Sequence, residues 1–263
     1  MFTVMASQLS SASPWRLKGN CAEFQFGSWN GSVDLAQPAR GVEIHEHSKI
    51  VPGGARVLGV EVGKPTAALG VPVDAYVRDA DLVAVYAESS EFPFGVQIYW
   101  SLANSGVSAD LLRIDVMVSI QTQWLDVRAH VETTSTLTAT AAWHCADTPA
   151  DGLAKFVTVP VGASRIDAAR HEPWIVAELV RPNGAAASAS YFEAAMPSDF
   201  LGADLELSGK AFLIRRELLD ETMEKGVIRR LRCCGIFARE VIQSQVAVQL
   251  ADEFLGEKPR LTT

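Results

Sequence analysis

The chain has 263 residues, of which 48% are hydrophobic and 21% are charged. This is enough apolar material for a large core and too little charge for a disordered chain. The 23 basic and 31 acidic residues give a formal net charge of −8. An acidic balance disfavours nucleic acid and anionic membranes as partners and favours a small molecule or a protein. The composition leaves open whether the protein forms a homo-oligomer.

The N-terminal sequence predicts neither a membrane anchor nor a secretory signal. No apolar run reaches the roughly 18 to 20 residues that a membrane-spanning helix needs. The opening stretch MFTVMASQLSSASPWR has no basic residue before Arg16 and no sustained apolar segment. We therefore expect a cytoplasmic protein.

The first third of the chain is predicted to form short strands separated by turns. Glycine and proline mark the turns, as at Gly27, Pro38 and Pro52. The apolar stretches between them predict strands at 21–26, 33–35, 41–47 and 56–62.

The middle of the chain carries the clearest strand pattern. Apolar and polar residues alternate over 112–122 with a period of two, which is typical of a half-buried antiparallel strand. Further strands are predicted at 81–87, 96–102 and 125–133. No helical pattern separates these strands, so the sequence favours antiparallel β-structure over a doubly wound α/β fold.

The second half predicts shorter strands, a long hairpin and one helix. The short strands fall at 156–161, 174–180, 188–193 and 204–207. The hairpin pairs 211–219 with 227–237 around a loop at 220–226. A helix over 215–225 is the alternative, because RRELLDETMEK consists of good helix formers. Near the C-terminus, apolar residues four apart predict an amphipathic helix over about 240–255, ended by Gly256.

Taken together, these elements predict an all-β protein: a large antiparallel β-sandwich, similar to a supersandwich, with a C-terminal amphipathic helix. We expect residues 1–263 to form one domain, although 146–152 could hold a boundary. None of the cysteines Cys21, Cys145, Cys233 and Cys234 lies in a CxxC pair. Because Cys233 and Cys234 are adjacent in a predicted strand, their side chains should point to opposite faces.

A metal site is one hypothesis for function. Glu43, His45 and His47 are two residues apart, so on a strand they would share one face. Two imidazoles at that spacing suit Zn²⁺ or Fe²⁺, with a third ligand from another strand. His130, His144 and His171 are the candidates for that ligand. The alternative is a solvated polar face, because a HxH pattern is short and common.

A polar row on the strand 125–133 is the second candidate site. Asp126, Arg128 and His130 alternate with apolar residues, and Trp124 precedes them. Such a row could bind a sugar, with carboxylate and guanidinium groups on its hydroxyls. The aromatic residues considered as a stacking surface are Trp100, Trp124, Tyr86 and Tyr99. A salt-bridged solvent face is the alternative interpretation.

Two resemblances add to these patterns. Short strings at 223–230, 235–239, 261–263, 74–78 and 81–84 resemble strings of uncharacterised bacterial proteins and imply no activity. The long paired strands in a chain of this length also resemble the β-supersandwich of galactose-mutarotase-like proteins. That resemblance implies a concave sheet that faces a sugar, with a central histidine and a late glutamate as base and acid. It assigns neither role to a numbered residue.

Two functions follow as expectations. The first is a β-sandwich that binds carbohydrate on a concave sheet without catalysis. The second is a mutarotase-like or metal-dependent sugar-modifying enzyme. The sequence contains no P-loop, GxGxxG, HExxH or GxSxG motif, which disfavours the common nucleotide-binding and hydrolase classes.

Overall fold

The protein is built from antiparallel strands that form two sheets, as seen in a computed structural model that describes residues 13–45, 55–63, 69–147, 154–180 and 189–257. Sheet A contains, in spatial order, β1 (Trp15–Lys18), β2 (Cys21–Phe26), β3 (Trp29–Asp34), β4 (Val42–His45), β5 (Arg56–Val62), β10 (Val127–Asp147), β16 (Ala211–Met223), β15 (Gly202–Ser208) and β12 (Gly162–Asp167). Sheet B contains, in spatial order, β6 (Asp74–Arg78), β7 (Asp81–Tyr86), β8 (Gly95–Ser105), β9 (Ser108–Gln121), β17 (Ile228–Ala238), β14 (Ala189–Ala195), β13 (Trp174–Leu179), β10 and β11 (Lys155–Thr158).

Strand β10 belongs to both sheets. Its first half, up to Thr138, pairs with β5 and β16 in sheet A. From Ala139 onward it pairs with β13 and then β11 in sheet B. The register shifts between Ala139 and Ala141, where the strand passes from one sheet to the other. This one strand therefore ties the two layers together.

The main core lies between the two sheets. Alternate residues of each strand point into it, because side chains along a strand alternate between faces. Large apolar side chains such as Trp100, Tyr86 and Phe212 are almost completely buried there. The adjacent cysteines divide as predicted: Cys233 packs in this core, and Cys234 packs in a second apolar cluster on the other face of sheet B.

The second cluster is covered by the helix α1 (Ser244–Gly256), which buries Leu250 and Phe254 against sheet B. A buried arginine fixes the end of this helix. The Arg113 guanidinium donates to Glu257 at 2.8 Å and to Glu253 at 3.3 Å, and it lies over the Phe254 ring. No helix in the described residues is long and apolar enough to cross a membrane.

The predicted all-β sandwich with a C-terminal helix is confirmed, with corrections to individual elements. Strands β1, β6 and β12 were not predicted. The region 220–226 was predicted to be a loop, but β16 continues through Met223, so the alternative helix over 215–225 is also wrong. The helix begins at Ser244 rather than near 240. The predicted strand at 125–133 begins at Val127 and extends to Asp147.

Candidate functional site

The candidate site lies on the face of sheet A that points away from the core. Along the first half of β10, Ala129 and Val131 are buried in the main core. The residues that alternate with them point the other way, so Arg128, His130 and Glu132 follow one another on the outer face. Of the row predicted from the sequence, Arg128 and His130 therefore lie on one face of a regular strand.

A bulge in the neighbouring strand brings two more carboxylates to the same face. Glu217 and Asp220 are three residues apart, so a regular strand would point them to opposite sides. The register instead pairs Val131 with Leu219 and Glu132 with Glu217, which leaves Leu218 as an extra residue in β16. Leu218 and Leu219 are both buried. As a result, Glu217 and Asp220 share the outer face with His130.

His130 and these two carboxylates converge. One possible ligand atom from each of His130, Glu217 and Asp220 lies within 4.8 Å of the other two. The three side chains are partly accessible, at 30%, 22% and 28% of their full exposure. A group of this kind can accept hydrogen bonds from hydroxyls, exchange protons or hold a cation.

Arginines hold both carboxylates in place. The Arg128 guanidinium donates to Asp220 through two bonds, of 2.7 and 2.6 Å. These bonds hold the pKa of the Asp220 carboxyl below its usual value. Arg165, on β12, donates to Glu217 at 2.9 Å and to Asp204 at 3.0 Å. The two bonds from Arg128 to one carboxylate fix the orientation of Asp220, whereas Arg165 gives Glu217 a single bond.

A buried ion pair lies behind the site, inside the sandwich. Arg216 precedes Glu217 on β16 and points into the core, where it lies 3.2 Å from the Glu193 carboxylate of β14. The hydroxyls of Ser135 and Tyr191 also donate to Glu193, at 2.5 and 2.8 Å. Because Ser135 belongs to β10, this network fixes β10 and β16 against the opposite sheet directly behind the candidate site.

The other two residues predicted for this row lie outside the strand. Asp126 belongs to the turn before β10 and has a left-handed backbone, with φ of 55°. Trp124 is in the same turn and is 49% exposed. The remaining candidates for a stacking surface, Trp100, Tyr86 and Tyr99, are buried. The structure thus leaves Trp124 as the accessible aromatic residue among those four.

The predicted metal group at Glu43, His45 and His47 is described only in part. His47 lies outside the described residues, and His45 closes β4, where its backbone pairs with Asn30. Glu43 lies 3.5 Å from the Arg56 guanidinium. The metal site therefore stays a prediction.

The strand register separates that group from His130. Glu43 pairs with Arg56, and Arg56 pairs with Thr136, six residues along β10 from His130. Six residues of a strand span about 20 Å. His130 is therefore too far from Glu43 to share a metal ion with it, and the sequence-based suggestion that it could supply the third ligand is corrected.

The other two histidines form a pair of their own at the far end of β10. The rings of His144 and His171 meet edge to face, with centroids 5.1 Å apart. Burial and the neighbouring His171 lower the pKa of His144. His171 also lines a cavity of about 370 Å³, together with Arg170 and Glu172.

No protein-family model matches the sequence, and no curated protein matches it. Among solved structures, the chain is similar to a proposed mutarotase from Salmonella typhimurium, with 10% identity, a TM-score of 0.41, and coverage of 86% of this chain and 96% of that one. It is also similar to a 4-alpha-glucanotransferase from Thermococcus litoralis, with 9% identity, a TM-score of 0.37, and coverage of 88% and 42%. A glycoside hydrolase family 97 enzyme from Pseudoalteromonas sp. strain K8, in complex with acarbose, gives 10% identity, a TM-score of 0.36, and coverage of 86% and 35%.

The weak similarity to a mutarotase agrees with the resemblance noted from the sequence. This chain spans less than half the length of the glucanotransferase and the glycoside hydrolase. One fold serves many activities, so the chemistry of the candidate site depends on its own residues.

Proposed function

We propose that this protein binds a carbohydrate on the outer face of sheet A, at the site formed by His130, Glu217 and Asp220. The observation that carries the proposal is the convergence of these three side chains on one accessible face, with guanidinium groups beside them. Carboxylates accept hydrogen bonds from sugar hydroxyls, and guanidinium groups donate to sugar oxygens.

The spacing of the strands that carry the site favours a ligand of the size of one sugar ring. Neighbouring strands lie about 4.8 Å apart, which is close to the width of a pyranose ring. The imidazole and the two carboxylates stand on the neighbouring strands β10 and β16, so a ring lying across these two strands meets several polar groups at once. Since rigid elements hold the groups, little conformational entropy is lost when a sugar binds.

Saturation-transfer NMR with a panel of monosaccharides and oligosaccharides tests the proposal. We expect at least one sugar to give a saturable signal with the wild type and a much weaker signal with Asp220→Asn. Glu206→Gln is the matched control, because it removes an exposed carboxylate from the same sheet, about 20 Å along the strands from His130. A panel that gives no signal, or a signal that Asp220→Asn leaves unchanged, would rule out this site.

A sugar mutarotase is the second candidate, because an imidazole next to carboxylates can act as an acid–base pair. In mutarotation a base takes the proton of the anomeric hydroxyl, the bond between C1 and the ring oxygen breaks, and an acid protonates that oxygen. Ring closure on the other face of the aldehyde reverses these transfers. His130 and Glu217 are the groups we assign to this exchange.

Polarimetry separates the two candidates. Faster interconversion of α- and β-glucose or galactose, abolished in both His130→Gln and Glu217→Gln, would establish the enzyme. Sugar binding without such acceleration would leave the binding protein. A cytoplasmic location is part of the proposal, and cell fractionation tests it.

A further inference from the structure

A row of glutamates crosses the candidate site. The register places Glu132 of β10 directly between Glu61 of β5 and Glu217 of β16. Residues that face each other across neighbouring strands point to the same side, and like charges in that position destabilise a sheet. Arg165 neutralises Glu217 from one side. The row as a whole stays rich in negative charge, which favours a bound cation.

A group at one end of this row has the chemistry of metal ligands. His130, Glu217 and Asp220 offer one nitrogen and two carboxylate oxygens within 4.8 Å of one another. Imidazole and carboxylate together suit borderline divalent ions such as Zn²⁺. Ligand atoms around a tetrahedral zinc ion are about 3.4 Å apart, so partly exposed side chains need only a small movement to reach that geometry.

The ligands also have the supporting contacts that metal sites use. Arg165 donates to Oε2 of Glu217, which leaves Oε1 of that carboxylate for another partner. His130 Nε2 lies 3.3 Å from Oε1 of Glu132, a contact that restrains the imidazole ring. Outer groups of this kind orient the ligands of a metal and raise its affinity. Arg128 is the opposing element, because its guanidinium occupies both oxygens of Asp220.

We infer that His130, Glu217 and Asp220 form a binding site for a divalent cation of the zinc class, in competition with the guanidinium of Arg128. This site shares side chains with the proposed carbohydrate site, but the inference does not depend on sugar binding. It is also distinct from the metal group predicted at Glu43, His45 and His47, because the register places Glu43 about 20 Å along the strands from His130.

Isothermal titration of EDTA-stripped protein with Zn²⁺, in the absence of sugar, tests the inference. We expect saturable binding by the wild type. His130→Gln and Glu217→Gln should each weaken it at least about tenfold, because even the loss of an outer group that only supports a ligand weakens a metal site by about 10–100-fold. Glu206→Gln should leave the affinity unchanged. Arg128→Gln should tighten binding about tenfold at low ionic strength, because it removes a positive charge next to the ion.

Three further measurements keep the outcomes separate. Circular dichroism and melting in EDTA show that each variant is folded. The double variant His45→Gln/His47→Gln should bind Zn²⁺ like the wild type. Unchanged affinity in both His130→Gln and Glu217→Gln, or loss of binding confined to the His45→Gln/His47→Gln variant, overturns the inference. Sugar titrations run in EDTA report on the carbohydrate site alone, so either proposal can fail without the other.

Discussion

Replacing Arg216 by methionine should destabilise the protein by about 3–5 kcal/mol, because it leaves a buried carboxylate without its counter-charge. The side chains of Arg216 and Glu193 are 0% and 1% exposed, so water does not take the place of the guanidinium. The hydroxyls of Ser135 and Tyr191 still donate to Glu193 in the variant. Hydrogen bonds to a charged group each contribute about 1.5–3 kcal/mol, so we expect the lower end of the range.

Urea unfolding monitored by circular dichroism measures this loss, and calorimetry should show a melting temperature lower by about 6–12 °C. Arg215→Met is the matched control: this neighbouring arginine is exposed, so its replacement should change stability by less than about 0.5 kcal/mol. Adding Glu193→Gln to Arg216→Met removes the stranded charge and should recover part of the loss. A loss below about 1 kcal/mol in Arg216→Met, or strict additivity in the double variant, would refute the account of the buried pair.

Three further predictions concern other parts of the molecule. Folding lowers the pKa of His144 below its unfolded value near 6.5, so the unfolded chain binds the proton more readily. The free energy of unfolding, measured with urea, should therefore fall as the pH drops below about 6.5, and it should fall less steeply in His144→Gln. The same pH dependence in both proteins would contradict this. In a thiol titration of the folded protein, Cys21 should react first, since the other cysteines are buried and burial raises the pKa of Cys233 and Cys234; equal rates for all thiols would contradict this burial. Glu253→Ala removes the carboxylate that accepts from Ser105 and the Gly106 amide. Hydrogen exchange in α1 should therefore accelerate, and the free energy of unfolding should fall by about 1–3 kcal/mol. Unchanged exchange in α1 would show that other contacts hold the helix.

The strands that were predicted are those in which apolar and polar residues alternate strongly. The pattern over 112–122 is an example, because its apolar residues face the main core and its polar residues lie on the opposite face of sheet B, part of which α1 covers. The part of β10 beyond Thr133 was missed because Ser135, a polar residue, points inward there and interrupts the apolar pattern. Ser135 is accommodated because its hydroxyl donates to Glu193 and accepts from the Leu58 amide, and both partners come from distant parts of the chain. Such partners cannot be identified from local periodicity.

Only the β10 half of the candidate site could be predicted from the sequence, for a related reason. Arg128 and His130 follow the regular alternation of β10, so the sequence places them on one polar face. Glu217 and Asp220 reach that face only through the bulge at Leu218, and β16 lies far along the chain from β10. The consecutive leucines at 218 and 219, followed by an acidic residue, are the local signal that a bulge interrupts the strand.

The convergence of His130, Glu217 and Asp220 into one ligand site is tested most directly by NMR of the histidine ring nitrogens during titration with a sugar found in the panel. We predict a saturable shift of the His130 resonances, no shift of the His144 and His171 resonances, and no response in Glu217→Gln. A His130 signal that stays constant while the sugar binds, or that shifts equally in Glu217→Gln, would contradict the assignment.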